Sequence, residues 1–213
     1  MESYPIMFNA ENQPAAVIGG GRVAYRKVKR LIESGAAVTV ISPDLCPELE
    51  ELASASMFTW KKKTFDREDI RDAFIVIAAT DDKAVNRTVA NAVFPRQLVN
   101  IVDDPELGNF HVPASLHQGK LTISVATGGA SPFLAKRIRN DLKLHFDSSY
   151  QDYMAFLEEV RRLLHRLDCL ETDRKHQLLR DIAEDAYRKS AERRQALLTY
   201  LHKMKETGKM EEF

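Results

Sequence analysis

Cysteine is scarce in this 213-residue chain: only Cys46 and Cys169 occur, far apart and outside any C-x-x-C arrangement. That scarcity argues against a disulfide framework or a thiolate metal site and fits a reducing, cytoplasmic setting. No apolar run comes near the roughly 20 residues that a bilayer-spanning helix requires, so no membrane segment is expected. The opening Met1-Glu2-Ser3 lacks the basic-then-apolar pattern of a signal peptide. Charge of one sign is also missing, with 31 basic residues against 31 acidic ones, so no whole-molecule field draws the chain to nucleic acid. The six histidines (His111, His117, His145, His165, His176, His202) are scattered without a H-E-x-x-H pair, and no metal ligand is assigned. The single tryptophan, Trp60, reads as packing. What remains is an ordinary globular composition, 44% hydrophobic and 29% charged, enough for one large domain and one or two smaller ones.

Short apolar runs alternate with amphipathic stretches through the first half. Ala15-Ala16-Val17-Ile18 reads as a buried strand, and residues 22–34 as a helix with Ala24, Val28, Leu31 and Ile32 on one face. Val38-Thr39-Val40-Ile41 is a second strand, followed by a helical stretch carrying Leu45, Leu49 and Leu52. Residues 74–79 are wholly apolar, the mark of a strand covered on both faces. A helix over 83–94 and a strand over 98–102 follow. This alternation predicts an α/β fold with a Rossmann-type parallel sheet and right-handed crossovers over residues 1–113. Residues 114–148 read as a small strand-helix segment, with a half-exposed strand over 121–126 and a helix over 132–146. From Tyr150 there is no glycine until Gly208, and three apolar stripes predict a three-helix domain over 149–213, its tail frayed from Lys205. Lys61-Lys62-Lys63 reads as a solvated strand edge, and Arg161-Arg162 and Arg193-Arg194 as charged faces of amphipathic helices.

Gly19-Gly20-Gly21-Arg22-Val23-Ala24 fits G-x-G-x-x-G/A directly between a strand and a helix. Gly19 permits the tight turn, Gly21 removes the Cβ that would block a pyrophosphate, and Ala24 lets the helix pack closely on the sheet. The anion would rest on free N–H groups of Arg22 and Val23 at the positive end of the helix dipole. A dinucleotide site usually has Asp or Glu at the end of the second strand; here that end is Ser42-Pro43-Asp44. Ser42 can still bond a ribose, and no arginine stands beside it to meet a 2′-phosphate, so NAD is expected over NADP. Thr80 and Asp81 follow a buried strand where cofactor-contacting loops lie. The expected cofactor-binding set is Gly19, Gly20, Gly21, Arg22, Val23, Ser42, Pro43, Thr80 and Asp81.

Asp103 and Asp104 follow the next strand, on the ligand side of such sheets. Thr127-Gly128-Gly129-Ala130-Ser131-Pro132 places Ser131 at an N-cap and Pro132 at the first helical position, and the helix then carries Lys136, Arg137 and Arg139. Glycine-rich backbone beside arginines suits carboxylate binding. Jointly, Tyr4-Pro5-Ile6-Met7, the glycine loop with Arg26-Lys27, Ala78-Ala79-Thr80-Asp81-Asp82, Asn100-Ile101-Val102-Asp103 and the Thr127-to-Pro132 loop resemble the precorrin-2 dehydrogenase family, which includes the N-terminal half of siroheme synthases. The resemblance extends over residues 4–140. It implies NAD-dependent oxidation of precorrin-2, a tetrapyrrole, to sirohydrochlorin in siroheme or cobalamin synthesis, with Asp103 as acid/base. Asp104, Thr127, Gly128, Gly129, Ser131 and Arg137 are the expected substrate-binding residues. Thr127 stands where some relatives carry serine and keeps the hydroxyl. The resemblance also implies a homodimer formed through the segment after the Rossmann domain. Two alternatives stay open: an enzyme that also inserts ferrous iron into sirohydrochlorin, and a non-catalytic NAD-sensing module.

Overall fold

The computed structural model describes residues 3–167 and 170–207. Its chain forms two units, the first ending at Val112 and the second beginning at Pro113. In the first, the elements run β1 (Pro14–Ile18), α1 (Arg22–Glu33), β2 (Ala37–Ile41), α2 (Pro47–Ser54), β3 (Thr59–Lys61), β4 (Ile75–Ala78), α3 (Lys83–Ala92) and β5 (Leu98–Ile101). The strands pair in parallel in the order β3-β2-β1-β4-β5. From β1 the chain builds outward through β2 and β3, then returns to build the other half through β4 and β5. The connections that leave β1 and β4 therefore diverge, opening a crevice at the carboxyl ends of these two strands.

Strand alternation sorts the apolar side chains into two cores. Val17, Val40 and Ile77 face Ala24 and Val28 of α1 and Leu49 of α2. Ile18, Val76 and Ile101 face Val89 of α3 and Ile70 from the turn before β4. All four β4 residues are buried, which is why that strand reads as an unbroken apolar run.

Both sheet edges are finished by side chains. At one, Trp60 of β3 donates its indole N–H to the Ser42 carbonyl at 3.0 Å. The lysines after Trp60 are not simply solvated: Lys61 and Lys63 pair with Asp69 at 3.1 and 3.0 Å. Burial alone would raise the Asp69 pKa, but Lys63, the Asp66 backbone N–H and Lys61 hold it below the ordinary value. At the other edge Asn109 substitutes for a strand. Its Oδ1 accepts from Val99 N at 2.7 Å, its Nδ2 donates to Gln97 O at 2.8 Å, and its backbone N donates to Val99 O. The edge is thereby paired within its own chain, and the segment leading to Asp103 is fixed.

The second unit opens with β6 (Ala114–Gln118) and β7 (Leu121–Val125), an antiparallel hairpin, followed by α4 (Pro132–His145), α5 (Ser149–His165), α6 (Thr172–Asp181), α7 (Asp185–Lys189) and α8 (Ala191–Thr207). The sequence showed only the second strand of this hairpin, because Ala114-Ser115-Leu116-His117-Gln118 carries no run of apolar residues. The strand-helix segment and the later helices belong to one unit, tied by the Gln118 amide donating to Phe146 O at 3.0 Å.

Among the described residues four helices follow α4 where three stripes predicted three. The stripe through Leu178, Leu179, Ile182 and Ala186 is broken at residues 182–184 into α6 and α7. Arg194 donates to the Tyr187 and Arg188 carbonyls and so closes the end of α7. The helical core is formed by Phe156, Val160, Leu163, Leu164, Leu197, Leu201 and their neighbours, with the Tyr153 hydroxyl donating to Ile182 O at 2.6 Å. Arg162 is paired with Glu159. Helix α8 continues through Thr207, past the expected start of fraying at Lys205; the rest of that tail, and Cys169, lie outside the described residues. Among the described residues no helix is long and apolar enough to cross a membrane.

Candidate active site

The glycine loop after β1 has a shape that side chains would prevent. Gly19 has φ +122°, and a Cβ there would stand 2.5 Å from the Ala79 carbonyl oxygen at the end of β4. A Cβ on Gly20 would come within 1.9 Å of Asp44 O. Gly21 differs, because its Cβ position meets nothing within 4 Å and faces open space. Gly21 is also the N-cap of α1, with no side-chain cap and no acidic residue in the first turn. The N–H groups at this helix end are thus left for an anion. The Arg22 side chain is exposed and lies 3.8 Å from Glu48.

A cleft of about 700 Å³ opens over this loop. All nine residues expected to bind the cofactor line it: Gly19, Gly20, Gly21, Arg22, Val23, Ser42, Pro43, Thr80 and Asp81. Ser42 is buried, and its hydroxyl donates to Asp44 O at 2.7 Å. Its proton is therefore spent inside the chain, and toward a ribose Ser42 acts as acceptor. Thr64 and Phe65, in the segment after β3, also line the cleft. Nothing in the sequence marks them, because β3 has three residues and no apolar run.

Beside the cleft is a hollow of about 400 Å³ lined by Lys83, Ala84, Asn86, Arg87, Ile101, Asp103, Asp104 and Leu107. Asn86 joins the two. Although polar it is 1% exposed, and each end of its carboxamide is used. Oδ1 accepts from Thr80 N at 3.2 Å and lies 2.8 Å from the Thr80 hydroxyl. Nδ2 donates to Thr80 O at 3.1 Å and to Asp103 Oδ1 at 2.6 Å. One buried side chain thus braces the cofactor-side loop and holds the Asp103 carboxylate. Asp82 serves a different end, capping α3 by accepting from Ala84 N and Val85 N.

In the second unit, Ser131 caps α4, accepting from Leu134 N at 3.2 Å. The Thr127 hydroxyl is engaged within the loop, donating to Ser131 O at 3.1 Å and accepting from Ser131 N at 3.2 Å. Gly128 and Gly129 have φ of +58° and +85°, and their Cβ positions meet nothing within 4 Å. Arg137 is exposed. Among the described residues no group of three or more His, Cys, Asp or Glu side chains is placed to hold a metal ion.

A parallel sheet with its glycine cradle at the crevice between β1 and β4 defines a Rossmann-type NAD(P)-binding protein, and residues 6–114 match the NAD(P)-binding family model. Residues 118–144 match the central domain of sirohaem biosynthesis proteins, and residues 150–197 the SirC C-terminal domain. The chain belongs to the precorrin-2 dehydrogenase family. Precorrin-2 dehydrogenase of Priestia megaterium is 37% identical over 202 residues, covering 95% of this chain and 100% of that protein. The Bacillus subtilis (strain 168) precorrin-2 dehydrogenase is 38% identical over 158 residues, 74% of this chain and 98% of its own. The solved structure of SirC, a precorrin-2 dehydrogenase, aligns with a TM-score of 0.84 at 37% identity, covering 94% of this chain and 100% of that one.

Proposed function

We propose that this chain oxidises precorrin-2 to sirohydrochlorin, with precorrin-2 and NAD⁺ giving sirohydrochlorin, NADH and a proton. The observation that carries this reading is Asp103, held in its hollow by Asn86, whose other partner, Thr80, lines the cofactor cleft. The cleft fits a dinucleotide: its floor is backbone that a Cβ on Gly19 or Gly20 would invade, and it ends on an uncapped helix N-terminus. The Arg22 and Val23 region would hold the pyrophosphate, and Ser42 a ribose hydroxyl. NAD, when bound, supplies the hydride acceptor. NAD is favoured over NADP because the end of β2 bears no cation, while Lys61 and Lys63 at the end of β3 are both engaged by Asp69.

Asp103 Oδ1 accepts from Asn86, and among the described residues its second oxygen has no hydrogen bond. That oxygen takes the proton lost from the tetrapyrrole as the hydride leaves. Asp104, Thr127, Gly128, Gly129, Ser131 and Arg137 are assigned to the substrate, with Thr127 acting chiefly through the loop shape that its hydroxyl braces.

The strand-helix segment over 114–148 is assigned to homodimer formation, with 149–213 as a helical domain. A two-stranded hairpin is marginal on its own, and α4 leaves Phe133, Leu134 and Leu144 at 83, 40 and 81% exposure. A dimer by light scattering is the expected result, and a monomer at micromolar concentration would remove this assignment.

The deciding assay is anaerobic: protein, precorrin-2 and NAD⁺, followed by the absorbance of sirohydrochlorin and NADH. Both should appear in equal amounts. Asp103→Ala should lower kcat by about 10²–10⁴-fold with NAD binding retained. Full activity in that variant would take the acid/base role from Asp103. Adding ferrous ion to the product then tests metal insertion.

A further inference from the structure

The hollow that holds Asp103 has two cations on its wall, Lys83 and Arg87. They are four residues apart on α3 and so lie on one face, with their Cβ atoms about 5–6 Å apart. Asn86 lies on the same side of the helix, and its bond to Asp103 shows that this side looks onto the carboxylate. Both cations are exposed, and among the described residues neither makes a hydrogen bond or ion pair. Other cations near the rim of this sheet are engaged: Lys61 and Lys63 by Asp69, and Arg71 by Glu68. The N–H groups at the start of α3 do not explain an anion site here, because the Asp82 side chain already occupies them. Neither Lys83 nor Arg87 lines the dinucleotide cleft. Asp103 and Asp104 are the acids in the hollow, and Asp103 already has Asn86 as its partner.

We propose that Lys83 and Arg87 form a carboxylate-binding subsite that seats two side arms of the polycarboxylated substrate beside Asp103. The proposal rests on the dehydrogenase reading given above. A planar guanidinium takes a carboxylate through two parallel N–H bonds, and an ammonium acts as a compact point charge. Two cations one helical turn apart match two anionic arms on one edge of a macrocycle. Anchoring that edge on α3 presents the ring carbon that loses its proton to Asp103, whose orientation Asn86 fixes from the same helix. The subsite thereby selects which edge of the ring meets the base.

The test compares the intact enzyme with Lys83→Gln, Arg87→Gln and the double variant, under anaerobic steady-state conditions. These side chains are exposed, so the variants should fold. In the double variant KM for precorrin-2 should rise about tenfold, a loss corresponding to about 1.4 kcal/mol, while KM for NAD⁺ stays unchanged. Added salt should raise the wild-type KM for precorrin-2 and have little effect on that of the double variant. An unchanged KM for precorrin-2, or a parallel rise in KM for NAD⁺, would overturn the proposal. If the wild-type protein makes no sirohydrochlorin, the dehydrogenase reading fails on its own. Titration with sirohydrochlorin, followed by absorbance, then decides the subsite: binding weakened in the double variant supports it, and equal binding or none to the wild type overturns it.

Discussion

Gly19-Gly20-Gly21 and Gly128-Gly129 each lead into a helix that carries arginine, yet the two loops hold their shapes by different means. In the first, neighbouring backbone crowds Gly19 and Gly20, with Ala79 O and Asp44 O standing where their Cβ atoms would be. In the second the glycines face open space, and the loop is held by positive φ angles and by the brace between Thr127 and Ser131. The helix starts differ in the same sense. Helix α1 begins without a side-chain cap, whereas Ser131 caps α4. A loop shaped by its own sheet is ready for a ligand before one arrives. A loop held by dihedral preference and one local brace, with open space around its glycines, leaves its surroundings to be completed by whatever binds there.

Substitutions rank the two loops. Gly20→Ala should cost about 3 kcal/mol or more, since its methyl must displace the Asp44 backbone as well as the Ser42 hydroxyl. Denaturant unfolding would show the loss, and NAD binding should disappear with it; wild-type stability in this variant would refute the claim that packing shapes the first loop. Gly21→Ala sharpens the point, because the added methyl has room in the protein but not beside a pyrophosphate. Stability should change by no more than about 0.5 kcal/mol, while Kd for NAD, by calorimetry, rises about tenfold or more. Gly128→Ala and Gly129→Ala should each cost about 1–2 kcal/mol through left-handed backbone strain alone, with Kd for NAD unchanged. A cost in the second loop equal to that of Gly20→Ala would erase the distinction.

The smallest effect belongs to the surface of the second unit. Arg188 first, then Lys189, hold the exposed Asp185 carboxyl down at about 2, against an ordinary 3.8. A depressed carboxylate contributes stability above its unfolded pKa and loses it as pH falls through the folded value. That contribution should therefore fade from about pH 4 toward pH 2. Asp185→Asn should flatten that part of an acid-unfolding curve and leave stability near neutral pH slightly lower.

The Rossmann unit was legible because its signals are local. A buried strand announces itself by four apolar residues in a row, and the glycine loop by spacing next to a strand and a helix. The β3 strand left no such mark, so Thr64 and Phe65 stayed hidden with it. Asn86 was illegible for another reason: nothing in its own neighbourhood distinguishes it from a polar residue on a helix face. It is buried only because Thr80 and Asp103, six residues before it and seventeen after it, come to the same carboxamide. Lys83 and Arg87 likewise acquire meaning only from facing Asp103. Ser131 and Pro132 were readable as a helix start, but the same stretch of sequence did not disclose that the Thr127 hydroxyl closes on Ser131.

The indole of Trp60 is hydrogen-bonded to the carbonyl of Ser42, a residue that lines the cofactor cleft, and it is the one tryptophan in the sequence. The protein therefore carries a built-in optical gauge. Indole emits light in the range that the reduced nicotinamide ring absorbs, so filling the cleft with NADH should quench Trp60 by energy transfer. Binding and release of cofactor can be timed in the unlabelled molecule.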